Sequence, residues 1–258
     1  MCCSTNGLNH ENSERIFKEI YMLIDQDKCI GCRKCVPYCT AGAIYIEGKK
    51  AKINLDECVE CGVCYRVKVC PSDAFYQQPL EWPRSVRAIY SDPLNIHKET
   101  GLAGRGTEEI KTNDVTGRFK PGHIGIAIEV GRPGVCSRLR ELEKMSVALM
   151  KEGVEFEPKN PLTNLIDKKT GKLPPEILDE KVISAIIEIS VPKSRFLDVI
   201  RVIEETSKTM DTVFSLDVAS CRKGDVWEAE ELLSEAGIYY RPNAKINVGL
   251  GKPPVVSA

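Results

Sequence analysis

Two cysteine runs constrain what this chain can fold into more than any other feature. Cys29-Ile-Gly-Cys32-Arg-Lys-Cys35-Val-Pro-Tyr-Cys39 and Cys58-Val-Glu-Cys61-Gly-Val-Cys64-Tyr-Arg-Val-Lys-Val-Cys70-Pro71 hold eight of the twelve cysteines. Three thiolates spaced two residues apart can wrap three corners of one cubane, whereas a fourth displaced along the chain points away and must find another iron. Two such runs imply two [4Fe–4S] clusters with exchanged fourth ligands. Zinc sites use two C-x2-C pairs per metal and leave no role for a third step plus a displaced cysteine. Disulfides between cysteines two apart are strained, and nothing in the sequence indicates export. The runs also repeat internally: Asp27-Lys-Cys29 recurs as Asp56-Glu-Cys58, and Ala43-Ile44 as Ala74-Phe75. Each half reads as strand, cluster loop, short helix, strand.

This stretch, about residues 22–76, resembles a bacterial-type two-cluster ferredoxin domain. The resemblance implies that Cys29, Cys32, Cys35 and Cys70 bind cluster I, and that Cys58, Cys61, Cys64 and Cys39 bind cluster II. Thr40 departs from the family pattern, which has proline there, and five residues separate Cys64 from Cys70 where the pattern has three. The insertion Tyr65-Arg-Val-Lys-Val69 is expected to bulge beside one cluster and alter its exposure and charge, both of which tune potential. Lys28, Arg33 and Lys34 lie in the first loop, whereas Asp56, Glu57 and Glu60 lie in the second. Positive charge favours the reduced, more negative cluster, so cluster I is expected to have the higher potential unless solvent and salt screen these charges.

A chain of 258 residues leaves about 180 beyond this stretch, room for one more domain. Hydrophobic content of 42% is enough for a core, and a net charge of −1 gives no reason to propose nucleic acid or a membrane surface. The first twenty residues lack the apolar centre of a signal peptide, and nowhere do about 18 apolar residues run together. No membrane insertion is expected, and reduced, metal-bound cysteines point to the cytoplasm.

Residues 1–21 read as a polar tail, with Cys2 and Cys3 poorly placed to chelate, and a short helix over 14–20 capped by Ser13. Residues 22–78 form the ferredoxin domain, with a hairpin joining 44–46 to 51–53. Prolines and glycines without sustained periodicity make 79–122 an extended arm, able to dock Trp82, Ile89, Tyr90, Leu94, Ile96 and Phe119 on a partner subunit or on the two domains. Its charged stretch 104–118 reads as a recognition loop; a lone Gly-x-Gly with no strand-to-helix junction is weak evidence for a nucleotide.

From residue 123 the elements alternate regularly: strand 124–128, helix 134–151, strand 154–156, a turn-rich insert, strand 182–191, helix 192–207, strand 212–219. This order folds most simply as a split βαβ antiparallel sheet with two helices on one face, giving an α+β chain. Val130-Gly-Arg-Pro-Gly-Val135 resembles a turn of ACT-type regulatory domains over about 123–220, departing at Gly131 where that family often has an acidic residue. Residues 123–258 are thus expected to be an ACT-like domain with further C-terminal elements. These are a helix over 226–236 capped by Asp225 and ended by Gly237, and short strands at 238–240 and 245–248. Cys136 and Cys221 fall at opposite ends of such a sheet and should not pair. His10, His97 and His123 have no ligand-like spacing.

No catalytic residue can be singled out, and nothing here cradles a flavin, nicotinamide, corrinoid or molybdopterin. The expected role is the electron-transfer subunit of a cytoplasmic anaerobic oxidoreductase, with the substrate chemistry on a partner chain and homo-oligomers conceivable through the C-terminal domain. The alternative is a redox or small-molecule sensor with an effector at Arg132-Pro-Gly134. An ATP-driven activase would need G-x-x-x-x-G-K-[ST], which is absent from this sequence.

Overall fold

The computed structural model describes residues 20–107, 117–132, 134–223 and 226–241. Cys2 and Cys3, the expected helix over 14–19, the middle of the recognition loop at 108–116, Pro133, Asp225, the strand at 245–248 and the tail from Gly251 lie outside the described residues. Ile20, read from sequence as the end of that helix, instead opens a strand.

Four short strands frame the cysteine runs: β1 (Ile20–Ile24), β2 (Ile44–Glu47), β3 (Lys50–Ile53) and β4 (Phe75–Pro79). β1 pairs antiparallel with β4, and β2 with β3, so the first and last segments of the repeat close on each other. Met22, Ile44, Ala51, Ala74 and Phe75 form the apolar centre together with Cys29, Cys35 and Cys64. Its three large side chains supply only about 5–9 kcal/mol at roughly 1.5–3 kcal/mol each. Ordering the backbone costs about 1–2 kcal/mol per residue. A unit of this size needs metal to hold it.

The segment read as an extended arm contains a helix, Ser85–Ser91, too short for its periodicity to stand out in sequence. Val86 and Tyr90, four residues apart and therefore on one face, are buried in the core of the second half of the chain. The hydroxyl of Ser91 accepts the Ile183 N–H at 2.9 Å.

That second core is built on a four-stranded sheet. Its members among β5 (His123–Val130), β6 (Ser137–Arg138), β7 (Glu155–Phe156), β8 (Lys181–Val182), β9 (Ala185–Pro192) and β10 (Phe214–Ser220) run in the order β10-β5-β9-β7, every pair antiparallel. Ile124, Ile126, Ile128 and Val130 alternate along β5 and share one face with Ala185, Ile187, Ile189 and Val191. Two helices cover that face, Leu139–Lys151 through Leu139, Leu142, Met145 and Leu149, and Phe196–Ser207 through Phe196, Val199, Ile200 and Ile203.

The opposite face is also covered. Phe119 lies so close over Gly125 that a Cβ there would stand 2.5 Å from its ring. Buried Glu188 accepts hydrogen bonds from Thr107 and from Asn160, the latter at 3.0 Å, while Glu129 pairs with Arg105 at 2.9 Å and Arg132 at 3.0 Å. The end of the arm therefore lies against this chain's own sheet.

Several boundaries differ from the sequence reading. The first helix begins at Leu139, not 134, because Ser137–Arg138 pairs with Lys181–Val182 in a small ladder. That ladder also separates 181–182 from β9. Val226–Trp227 (β12) pairs with Arg222–Lys223 (β11), so the last helix starts at Glu228, and 238–240 is not a strand. Gly237 takes φ +68 just past that helix. No helix among the described residues is long and apolar enough to cross a membrane.

Candidate iron–sulfur centre

Both cysteine runs are shaped by the same local devices. The Asp25 carboxylate accepts the N–H groups of Asp27 at 2.9 Å and Lys28 at 3.3 Å, and the Asn54 side chain accepts that of Asp56 at 3.0 Å. The N–H of Cys29 then bonds Asp25 O, and that of Cys58 bonds Asn54 O, each at 3.0 Å. Left-handed residues follow at matching positions, Gly31 (φ 71) and Arg33 (φ 64) in the first run, Glu60 (φ 56) and Gly62 (φ 66) in the second. Alternation of this kind turns successive N–H groups toward one point, an anion-binding nest. At Gly31 a side chain would collide with the carbonyl oxygen of Lys49. Arg33 and Glu60 each bear a strain of about 1–2 kcal/mol, which an anionic group seated in the nest would offset.

The fourth cysteine of each run is held alike. Ala43 N–H donates to Cys39 Sγ at 3.1 Å and Ala74 N–H to Cys70 Sγ at 3.4 Å. Ala51 N–H reaches Cys29 Sγ at 3.4 Å. Such bonds stabilise sulfur that carries negative charge.

Two cavities result. Cys29, Cys32, Cys35 and Cys70 line the first, of about 320 Å³, and Cys39, Cys58, Cys61 and Cys64 line the second, of about 330 Å³. Each therefore collects three cysteines of one run and the displaced one of the other. Among the described residues, no three His, Cys, Asp or Glu side chains close on one point as a single ion requires, with zinc–sulfur bonds of about 2.3 Å. The sulfurs instead ring a space, which fits a multi-atom cluster.

Thiol chemistry differs between the cavities. Burial pushes Cys58 and Cys64 up to about 12, with Glu60 adding to the first and Cys61 to the second. Burial also raises Cys35. Burial acts upward on Cys70 as well, yet the Ala74 N–H and the Ser72 hydroxyl and N–H together carry it below the ordinary thiol value. Of the eight cysteines only Cys32 is exposed.

The surroundings of the second cavity come from distant sequence. Arg87, almost fully buried, donates from one nitrogen to the carbonyls of Leu55, Asp56 and Cys58 at 3.0, 2.8 and 2.7 Å, and pairs with Glu180. Arg84 binds buried Glu60 at 3.0 Å, whose other oxygen accepts the Met22 N–H at 3.0 Å. Arg138 pairs with Asp56 at 2.7 Å and Glu57 at 3.4 Å, and Lys181 also pairs with Glu57. The hydrogen bond from Arg138 holds the Asp56 carboxyl below its ordinary value. The three acidic residues that suggested a negative loop are thus all matched by cations.

The insertion contributes here too. Val63–Arg66 is a helical turn, Lys68 turns left-handed with its ammonium 3.9 Å from the centre of the Tyr65 ring, and Arg66 reaches Cys61 O and, at 2.9 Å, Asp92. At the position where the family pattern has proline, the Thr40 hydroxyl lies 3.4 Å from Cys61 Sγ.

Cys136, buried at φ 63 in the turn after β5, also belongs to this neighbourhood. Burial raises its thiol, Lys181 pulls it down, and Cys61 and Cys39 push it up again. Cys136 and Cys221 are not joined by a disulfide, and Cys221 Sγ donates to the Phe119 carbonyl at 3.2 Å. His97 is buried, with Nε2 2.9 Å from Gly104 O. Sequence reasoning found the eight cysteines but missed Arg84, Arg87, Arg138 and Lys181; Lys181 stands 124 residues from Glu57, and no local pattern marks such a pair.

Two nests opening on cysteine-lined cavities define an iron–sulfur electron-transfer protein of the ferredoxin type. Residues 28–74 match the 4Fe-4S dicluster domain, and the chain belongs to the family of proteins carrying it, with two [4Fe–4S] clusters. It is 38% identical over 66 residues to pyruvate synthase subunit PorD of Methanothermobacter marburgensis, covering 26% of this chain and 72% of that one. The PorD subunit of Thermotoga maritima is 40% identical over 74 residues, 28% of this chain and 73% of that one. One component of an ion-translocating oxidoreductase complex of Methanosarcina acetivorans is 46% identical over 46 residues, 18% of this chain but only 17% of that relative's length. No solved structure is significantly similar to the chain.

Proposed function

We propose that this chain is the electron-transfer subunit of an oxidoreductase complex in the cytoplasm, passing single electrons between a cofactor-bearing partner chain and its own two clusters. In this reading Cys29, Cys32, Cys35 and Cys70 hold cluster I and Cys58, Cys61, Cys64 and Cys39 hold cluster II. The observation that carries it is the crossed composition of the two cavities, each completed by the cysteine of the other run. Relatives that are named as parts of oxidoreductases support the partner. The second half is read as a split βαβ, ACT-like domain that anchors the conduit to its partner. The 4-1-3-2 strand order and the two helices on one face support that reading. An effector at the turn after β5 draws less support, because Arg132 is engaged with Glu129 and a side chain at Gly131 would meet Ile183 O at 2.6 Å.

The test is ligand exchange by single substitution. Anaerobically prepared wild type is expected to hold about eight irons. Cys39→Ser should perturb the cluster whose other ligands lie in the second run, and Cys70→Ser the one whose other ligands lie in the first, as read by iron count and electron paramagnetic resonance. If Cys39→Ser perturbs the same cluster as Cys29→Ser, the ligand sets are wrong. Mass spectrometry of chains co-purifying under anaerobic conditions checks the partner.

A further inference from the structure

Both runs end in the same tight turn, but with different residues in it. The N–H of Gly42 bonds Cys39 O at 3.1 Å and that of Asp73 bonds Cys70 O at 3.3 Å, so the residue after each fourth cysteine is the second of a four-residue turn. Proline suits that place because its ring sets the φ the turn needs. The second run has Pro71 there, whereas the first has Thr40. Threonine gives up the pre-set dihedral, so the turn itself does not call for it. What it adds is a hydroxyl. Thr40 lines the second cavity with Cys39 and Cys61, and its Oγ1 lies 3.4 Å from the Sγ of Cys61, 21 residues further along the chain.

The geometry points to Thr40 as a positioning residue that raises the potential of the cluster in the second cavity, by donating its hydroxyl proton to the Cys61 sulfur. This rests on the ligand sets proposed above. A cysteine sulfur that binds iron carries no proton, so in this pair only the hydroxyl can donate. One-electron reduction leaves more negative charge on the ligand sulfurs. The hydrogen bond is therefore stronger in the reduced state, and a larger fraction is reduced at a given solution potential. The proton stays on Oγ1 throughout; only an electron moves. At the first cavity the corresponding turn has no such link between runs: Pro71 carries no donor, and the Ser72 hydroxyl stands 3.5 Å from Cys70 Sγ of its own run. Thr40 is exposed, so water competes for both partners and the effect is that of one solvated hydrogen bond.

Anaerobic redox titration of the full chain, followed by electron paramagnetic resonance, tests this directly. Thr40→Val keeps the shape and removes the hydroxyl. At the solution potential that half-reduces the wild-type cluster, the ratio of reduced to oxidised should fall about threefold, toward the low end for a hydrogen bond. That is about 28 mV, at about 59 mV per tenfold for one electron. Thr40→Ser should restore the wild-type potential, and Thr40→Pro, which places at 40 the residue found at 71, should match Thr40→Val. The cluster that shifts should be the one Cys39→Ser perturbs. In pulsed electron–nuclear double resonance of the reduced protein, a proton coupling lost in D2O should be present in wild type and Thr40→Ser and absent from Thr40→Val.

A Thr40→Val chain that retains its iron and both wild-type potentials overturns the inference. So does a shift confined to the cluster that Cys70→Ser perturbs, or a Thr40→Ser potential as low as that of Thr40→Val. Wild type holding well under about eight irons would instead sink the ligand sets themselves, so the two failures are distinguishable.

Discussion

The two cysteine runs repeat each other in their turns and in the spacing of their first three cysteines, yet they live in different surroundings. The first loop is largely self-sufficient: its turns, left-handed residues and sulfur hydrogen bonds are made within the ferredoxin-type half. The second is made the same way and then fastened from outside, with Arg87 bonded to three of its carbonyls and Arg84 to its buried glutamate. A repeat can therefore supply the chemistry twice while the rest of the chain assigns each copy a different job. One copy is left open at its edge, and the other is joined to a large apolar core.

Removing the iron should expose that contrast most strongly. The small apolar centre of residues 20–79 cannot hold itself together, whereas the sheet half keeps its own core. In hydrogen exchange of the iron-free chain, amides of 29–35 should exchange at least about tenfold faster than those of 55–61, a difference of about 1.4 kcal/mol. Equal exchange in the two loops would mean that the arginines do not fasten the second one.

Next in size is Arg87→Met. It leaves Glu180 and three loop carbonyls without their donor. Breaking a buried pair from one side costs about 3–5 kcal/mol. Denaturant unfolding should register that loss, and the paramagnetic signal of the second-cavity cluster should broaden while the other stays sharp. A loss under about 1 kcal/mol would show that solvent reaches this contact and replaces it.

Arg138→Gln should be the mildest, at about 1 kcal/mol or less, because the Asp56 end of its ion pair is exposed. The same pair carries a pH signature. Asp56 is depressed below its ordinary 3.8, chiefly by its hydrogen bond from Arg138, so the contribution is fully present above that value. It is lost as pH falls through the lower, folded-state value. Thermal stabilities of wild type and variant should differ above about pH 4 and converge below it, and a gap that persists in acid would assign the effect of Arg138 to packing.

The cluster half was legible in sequence because cluster ligation is local. Cysteine spacing, glycines and the repeat of Asp27 and Asp56 sit within a few residues of one another, and the structure brings the eight thiols together as two sets of four. Strand positions in the second half were legible for a related reason, the alternation of Ile124, Ile126 and Ile128 and its partner in β9. Boundaries were less so. The start of the first sheet-half helix was missed because Ser137–Arg138 is held by pairing with 181–182, a contact invisible to local propensity. The seven-residue helix at 85–91 was missed because its two buried apolar residues, Val86 and Tyr90, are too few to establish a period.

The charge reading shows the limit most plainly. On paper, Asp56, Glu57 and Glu60 made the second loop acidic; in space each is met by Arg84, Arg138 or Lys181. Sequence by itself marked the eight cysteines that line the two cavities, since their spacing is written along a single short segment. Which loop is enclosed and which is open was decided only by the tertiary structure, because a charge's field depends on distance through space and the cations arrive from as far as 124 residues away.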